Sequence, residues 1–253
     1  KKSRRVKVMS LRVAFYGLIS AAIIFVGLGA GAYSGIIASA PDISDVNIMP
    51  MGYATFVYDS GGSLIQQINS AEGNRISVSI DEIPEYMQHA IVAIEDSRFY
   101  EHNGVDSLGM LRAVATAVST GFSRTEGAST ITQQLLKNNV FTDWMEENTF
   151  DSIVRKLQEQ YLALELEKYM TEQGQDAKSV ILENYLNTVN FGSGAYGVQP
   201  AARTYFGKDC EDLTLSECAV LAAIPQNPSR WNPRLHPEEN ADRRAVVLDY
   251  MLE

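Results

Sequence analysis

The chain has 253 residues, enough for one large domain with appendages, and its 45% apolar content is that of a folded protein rather than a disordered one. The formal charge of −10 is unevenly spread: Lys1, Lys2, Arg4, Arg5, Lys7 and Arg12 crowd residues 1–12 with no acid among them, and the remainder carries 15 basic against 31 acidic side chains. So acidic a body repels phosphate backbones and argues against nucleic acid as a partner.

From residue 13 to residue 41 there is no charged side chain. A run of this length exceeds the roughly 20 residues that a helix needs to cross a bilayer, and predicts a transmembrane helix over residues 13–38. The basic tail 1–12 then stays in the cytoplasm and the rest lies on the outer face, a single-pass arrangement in the cell membrane. A cleaved signal peptide is the rival reading, and Ala38-Ser39-Ala40 resembles a cleavage site. The apolar run is longer than the usual h-region of about 7–15 residues, which favours an uncleaved anchor.

Residues 39–80 read as a linker and a β-hairpin. Thr55–Tyr58 and Leu64–Ile68 flank the turn Asp59-Ser60-Gly61-Gly62, and residues 75–80 alternate like a third short strand. The remainder, residues 81–253, reads as a helical domain. Pro84 opens a helix over residues 85–95, a second spans 108–118, and a polar loop with Phe122 follows. A longer helix covers 151–169, with further helices over 180–186, 200–205, 215–224 and 240–252. Thr214 and Glu217 form a capping box at the start of the 215–224 helix. Gly192, Gly194 and Gly197 mark an irregular turn where backbones approach closely. Cys210 and Cys218 are the only cysteines; outside the membrane a bridge is permitted, while Cys218 on an apolar helix face suits a buried thiol. Neither the Cys nor the His spacing resembles a metal site.

Three stretches carry candidate chemistry. Residues 95–104 run Glu95-Asp96-Ser97-Arg98-Phe99-Tyr100-Glu101-His102-Asn103-Gly104 directly after the apolar run 90–94. A carboxylate held against a core has a raised pKa and suits acid/base work; the alternative is a solvated acidic helix end. At 129–138, small hydroxyl residues open a helix whose N-terminus favours an anion. Counting by three and four puts Thr130, Gln133, Gln134, Lys137 and Asn138 on one face, either a ligand-facing stripe or the solvated side of a capped surface helix. Arg155, Lys156 and Glu159 lie on the long helix. Arg155 and Glu159 form either a surface ion pair or a second carboxylate beside cations at an anionic site.

These stretches, with residues 181–208 around Tyr185-Leu186-Asn187 and residues 221–233 around Pro225-Gln226-Asn227-Pro228, resemble in order the peptidoglycan glycosyltransferase family (glycosyltransferase family 51). That family comprises the transglycosylase module of class A penicillin-binding proteins and their monofunctional relatives. The resemblance covers roughly residues 80–240 and implies a mostly α, lysozyme-like, two-lobed domain with a small β-hairpin region, preceded by one transmembrane helix. It implies polymerisation of lipid II into β-1,4 glycan strands. Residue by residue, it implies Glu95 as the catalytic base and Glu159 as the second catalytic glutamate, near the donor. It implies that Ser129, Gln133, Gln134, Lys137 and Arg155, with Lys156 nearby, hold the donor diphosphate and sugars. Asp96, Phe99, Thr130 and Asn138 complete the expected substrate-binding set. No tightly bound cofactor is expected; Mg2+ or Mn2+ on the substrate diphosphate is common in the family. The expected partners are lipid II, the growing glycan chain and the bacterial cytoplasmic membrane, with cell-division or elongation proteins as the protein class this setting allows.

Ser-x-x-Lys followed by Lys-Thr-Gly, the transpeptidase set, does not occur in these 253 residues. The chain starts without Met and ends within a predicted helix, as expected of a fragment of a longer protein. Two other functions fit part of the pattern. A glycan-cleaving enzyme shares a catalytic Glu in a sugar cleft but needs no diphosphate clamp. A non-catalytic membrane scaffold needs neither.

Overall fold

The computed structural model describes residues 24–68, 74–121, 127–141 and 147–252. The basic tail, the first part of the apolar run and the loop at Phe122 lie outside the described residues. Residues 24–38 form helix α1. The segment Ile24–Asp45 is long and apolar enough to cross a membrane, with mean hydropathy 1.4, and its apolar window is wholly unburied. Its end is fastened to the rest of the protein by Gln158, whose Nε2 donates to the Ile36 carbonyl at 3.1 Å and to Ser39 Oγ at 3.0 Å.

The hairpin forms as its turn chemistry predicts. Strands β1 (Thr55–Tyr58) and β2 (Leu64–Ile68) pair antiparallel, Thr55 opposite Ile68, with an irregularity between Val57 and Tyr58. Asp59 Oδ1 closes the turn by accepting from the Gly61 and Ser63 amides, both at 2.8 Å. The third strand does not form. Arg75 makes only an isolated bridge to Tyr53. The backbone that follows is satisfied by side chains instead: Asn187 bonds both the amide and the carbonyl of Val78, and Glu183 accepts from the Ile80 amide. A segment whose backbone groups are met by a neighbouring helix has no use for a ladder.

Among the described residues eight α-helices follow: α2 (Glu85–Glu95), α3 (Ser107–Ser119), α4 (Ile131–Asn139), α5 (Thr149–Glu172), α6 (Ala177–Thr188), α7 (Val198–Phe206), α8 (Leu215–Ala222) and α9 (Pro237–Tyr250). Polar caps set many of the starts. Asp106, Asn148 and Asp176 accept from amides of the first turns of α3, α5 and α6, and Thr214 with Glu217 forms the expected capping box on α8. Gly197, at φ +91°, precedes helix α7 as its N-cap; a β-carbon there would sit 2.7 Å from the Asn187 carbonyl oxygen.

Two packing groups result. Helix α2 lies against α8 and α9, and α4 lies against α5 and α6. Met87 and Ile91 of α2, Leu135 and Leu136 of α4, Leu162 of α5 and Ile181 of α6 are fully buried in one continuous core. Each such side chain contributes about 1.5–3 kcal/mol. Both cysteines are free and buried, and burial pushes their thiols up, Cys210 to about 11 and Cys218 to about 12. The cleft that matters lies where the C-terminus of α2 meets the second group.

Candidate active site

Residues 95–104 are built as a bracket between the two groups. Glu95 is the last residue of α2, and Asp96, extended at φ −159°, turns the chain so that two adjacent carboxylates diverge. Glu95 points into the cleft. Asp96 is buried: Oδ2 accepts from the Ile131 amide at 3.0 Å, and His102 Nε2 lies 2.9 Å from Oδ1. The anion at the N-terminus of α4 is therefore Asp96 of this chain, not an external ligand. Arg98 pairs with Asp106, the cap of α3. Phe99 is fully buried, edge-on to Tyr100 at 5.1 Å, with Lys178 Nζ 4.4 Å above its ring. Gly104 closes the bracket at φ +88°; a β-carbon there would sit 2.3 Å from the Ala163 carbonyl of α5. Its own carbonyl accepts from Thr130 Oγ1 at 2.6 Å, tying α4 to the same turn.

The predicted stripe on α4 divides. Thr130 and Gln133 are buried and serve each other in a capping box. Gln134 and Lys137 face the cleft. Gln134 Nε2 donates to Glu95 Oε2 at 3.0 Å, and its Oε1 accepts from the buried Tyr185 hydroxyl of α6 at 3.2 Å. Asn138 is half-buried and lines neither compartment of the cleft.

On α5, Glu159 is wholly buried between two cations. Its Oε1 takes Arg155 Nη1, and its Oε2 takes Lys156 Nζ at 2.8 Å. Arg155 is buried too; its Nε is given to Glu147 at 2.8 Å. Lys156 reaches out of this cluster into the cleft and donates to Ser129 Oγ at 3.1 Å.

The cleft has two compartments that share Ile94, Glu95, Gly127, Ser129 and Gln226. One, of about 270 Å³, adds Gln134, Lys137, Lys156 and Pro225. The other, of about 280 Å³, adds Asp96, Asp106, Arg112 and Arg243. Glu95 stands on the wall between them. A larger groove of about 1010 Å³ adjoins the second compartment, with which it shares Ala93, Ser97, Arg112 and Tyr250, and its lining carries no carboxylate.

Electrostatics separates the groups. Burial raises the pKa of Glu95, and Asp96 adds to the effect; the Gln134 hydrogen bond and Arg243 oppose it without cancelling it. Burial, with Lys156 and Arg155, lowers the pKa of Lys137, against the pull of Glu159. Burial opposes charge on Arg155, but Glu147 and Glu159 override it and raise its pKa. A half-buried carboxylate with elevated proton affinity thus faces a space walled by Lys137 and Lys156. Such a pair accepts a proton on one side and neutralises an anion on the other.

Of the residues read from sequence, Glu95, Ser129, Gln134, Lys137 and Lys156 meet at the cleft. Asp96 and Thr130 line the second compartment although both are largely buried, whereas Phe99 and Gln133 line neither: core packing takes Phe99 and helix capping takes Gln133. Arg155 and Glu159 spend their polar atoms on each other and on Glu147 and Lys156, and neither lines the two compartments. Arg112, Gln226 and Arg243 were missed. An arginine on an amphipathic helix such as α9 reads as solvated, and only the fold brings Arg243 opposite Glu95. Among the described residues, no three His, Cys, Asp or Glu side chains gather as a metal site. The carboxylates of Asp96 and Glu159 are already paired within the protein.

The family model described as Transglycosylase matches residues 61–252. Penicillin-binding protein 1A of Escherichia coli (strain K12) is 40% identical over 243 residues, 95% of this chain and 27% of that protein. Penicillin-binding protein 1F of Bacillus subtilis (strain 168) is 46% identical over 178 residues, 70% of this chain and 23% of that protein. The chain thus spans about a quarter of the length of these relatives. A crystal structure of penicillin-binding protein 1A from Haemophilus influenzae aligns with 81% of this chain and 18% of its own, at 25% identity and a TM-score of 0.38. With the family model matching well over half of its residues, the chain belongs to the transglycosylase family.

Proposed function

We propose that the chain is a membrane-anchored peptidoglycan glycosyltransferase that polymerises lipid II. The observation that carries this reading is Glu95, a desolvated carboxylate with raised pKa, set across a narrow cleft from Lys137 and Lys156. The acceptor hydroxyl, O4 of N-acetylglucosamine, is a weak nucleophile and needs a positioned base. Glu95 takes its proton as the oxygen attacks C1 of the donor N-acetylmuramic acid from the face opposite the leaving group. The C1–O bond breaks, its electron pair leaves with undecaprenyl diphosphate, and C1 inverts. The diphosphate is already anionic and needs neutralisation rather than an acid, which Lys137 and Lys156 supply. Arg155 and Glu159 hold Lys156 in place. A divalent cation on the diphosphate would be held chiefly by the diphosphate's own oxygens, because Asp96 and Glu159 are already paired within the protein.

The lipid tail demands a membrane-side geometry. Helix α1 supplies an anchor, with the basic tail on the cytoplasmic side. Helix α3 turns Leu108, Leu111, Val114 and Val118 to solvent, an apolar face that suits the bilayer surface.

A glycan hydrolase is the competing function, and it has no use for Lys137 and Lys156 at the cleft. Incubating the protein with lipid II in detergent separates the two. Long glycan chains should appear and purified glycan should stay intact; shortening of that glycan, or unchanged lipid II, overturns the proposal.

A further inference from the structure

Tyr185 belongs to no charged cluster and touches neither compartment, yet it sits one hydrogen bond behind the base. It is fully buried on α6, and its hydroxyl donates to Gln134 Oε1 at 3.2 Å while Gln134 Nε2 donates to Glu95 Oε2 at 3.0 Å. The polarity of this chain is forced. An ionised carboxylate only accepts, so Gln134 must turn its NH2 group toward Glu95. Its carbonyl then faces α6, where only a donor fits. Burial and the nearby Glu95 and Asp96 raise the Tyr185 pKa well above its ordinary value, so the hydroxyl keeps its hydrogen.

We propose that Tyr185 is a positioning residue for glycan polymerisation: it locks the Gln134 amide in the one orientation that engages Glu95 Oε2, leaving Oε1 to take the acceptor proton. Oε1 has no hydrogen-bond partner among the described residues. The lock does two things. It fixes which oxygen is the base, and its charge-favouring hydrogen bond limits how far burial raises the pKa of Glu95. Without Tyr185 the amide is free to rotate, and a carbonyl oxygen turned toward Glu95 would repel the ionised form.

This inference rests on the proposed function, and the unmodified protein tests that separately by making glycan from lipid II. The groups around Glu95 are Asp96 beside it, Gln134 and Lys137 on α4, Lys156 on α5, Tyr185 on α6 and Arg243 on α9. Only Tyr185 and Gln134 are varied. In Tyr185→Phe, kcat should fall about tenfold, the scale of one lost hydrogen bond, with KM for lipid II little changed. The acid limb of the pH–kcat profile should move to higher pH. An unchanged profile, or a loss confined to KM or to melting temperature, overturns the proposal. Should Tyr185→Phe fold poorly because Gln134 Oε1 is left unsatisfied, the double variant Gln134→Met/Tyr185→Phe removes both partners of that bond and orphans neither, and it is compared with Gln134→Met, in which only the Tyr185 hydroxyl loses its acceptor. The two should share one kcat and one acid limb. A further loss in the double variant would show that Tyr185 acts by some route other than Gln134.

Discussion

Glu95 lines the cleft and Glu159 lies buried behind Lys156, and their surroundings make these two helical glutamates opposites. At the end of α2, Glu95 receives one neutral amide donor, lies beside Asp96, and is pushed toward the protonated form by burial. In the middle of α5, Glu159 is buried more deeply but receives two cations, one on each oxygen. The difference teaches what separates a reactive carboxylate from a structural one. Burial alone does not; the supply of positive partners does. A carboxylate buried with arginine on one oxygen and lysine on the other turns neither oxygen to the cleft. One left short of partners keeps an oxygen for a substrate, at a cost to folding.

The comparison breaks most plainly by removing each acid in turn. Glu95→Gln should lower glycan polymerisation by roughly 10²–10⁴-fold, the usual scale for a general base. Its melting temperature should stay level or rise, because an unfavourably desolvated charge is gone. Glu159→Gln should do the reverse in emphasis. It leaves Arg155 with Glu147 alone and Lys156 with Ser129, so the cost stays below the about 3–5 kcal/mol typical of a buried ion pair that loses one partner outright. Chemical denaturation should register that loss, and the residual activity should show a raised KM for lipid II, because Lys156 is held less firmly. Equal stability in the two variants would erase the distinction drawn between them.

Much of this was legible beforehand, for physical reasons that also explain the failures. Helix periods and capping signals are local, so the α8 capping box and the polar N-cap of α4 stand where the sequence indicates. The family resemblance implies Glu95 as the base and Lys137 on the donor diphosphate with Lys156 nearby, and all three side chains line one compartment. What failed depended on where a side chain goes once its backbone is placed. Gln133 shares a helical face with Gln134 and Lys137, but the first turn of a helix needs its own donors and acceptors satisfied, and that need consumed it. Residues 75–80 alternate like a strand, yet Asn187 and Glu183, more than a hundred residues away, satisfied their backbone first. Phe99 lies among charged residues in sequence and at the centre of the core in space. No local rule assigns it there.

A smaller effect is expected from Arg243, which faces Glu95 from α9 and helps to hold its pKa down. In Arg243→Gln that help is lost, so the acid limb of the pH–rate profile should move to higher pH. At neutral pH and above, where Glu95 is ionised in either case, the base itself is unaffected and the rate should change least. A pair near a protein surface couples with about 1–4 kcal/mol at contact distance and less beyond it, so a two- to tenfold loss on the acid side is the expected scale. Matching losses at all pH values would mean that Arg243 acts on substrate binding instead of on Glu95.

The smallest effect sharpens the comparison from outside the cleft. Glu217 is a third glutamate, on α8, bonded to Lys208 Nζ at 2.7 Å and to the Thr214 amide and hydroxyl at 2.8 and 2.7 Å. Burial pulls its pKa up, but Lys208 and Thr214 prevail and hold it at about 2, below the ordinary 4.5. It resembles Glu159 in being well supplied with partners and differs in lying close to water. Because the folded-state pKa is depressed, its stabilisation is complete above pH 4.5 and declines as pH falls through the window down to about 2. Glu217→Ala should therefore cost about 1 kcal/mol at neutral pH, the worth of a helix cap, with polymerisation unchanged. Denaturation curves of the two proteins should converge as the pH is lowered through that window. A gap that persists at pH 2 would mean that the side chain acts through packing rather than through its charge, and that partner supply does not set its worth.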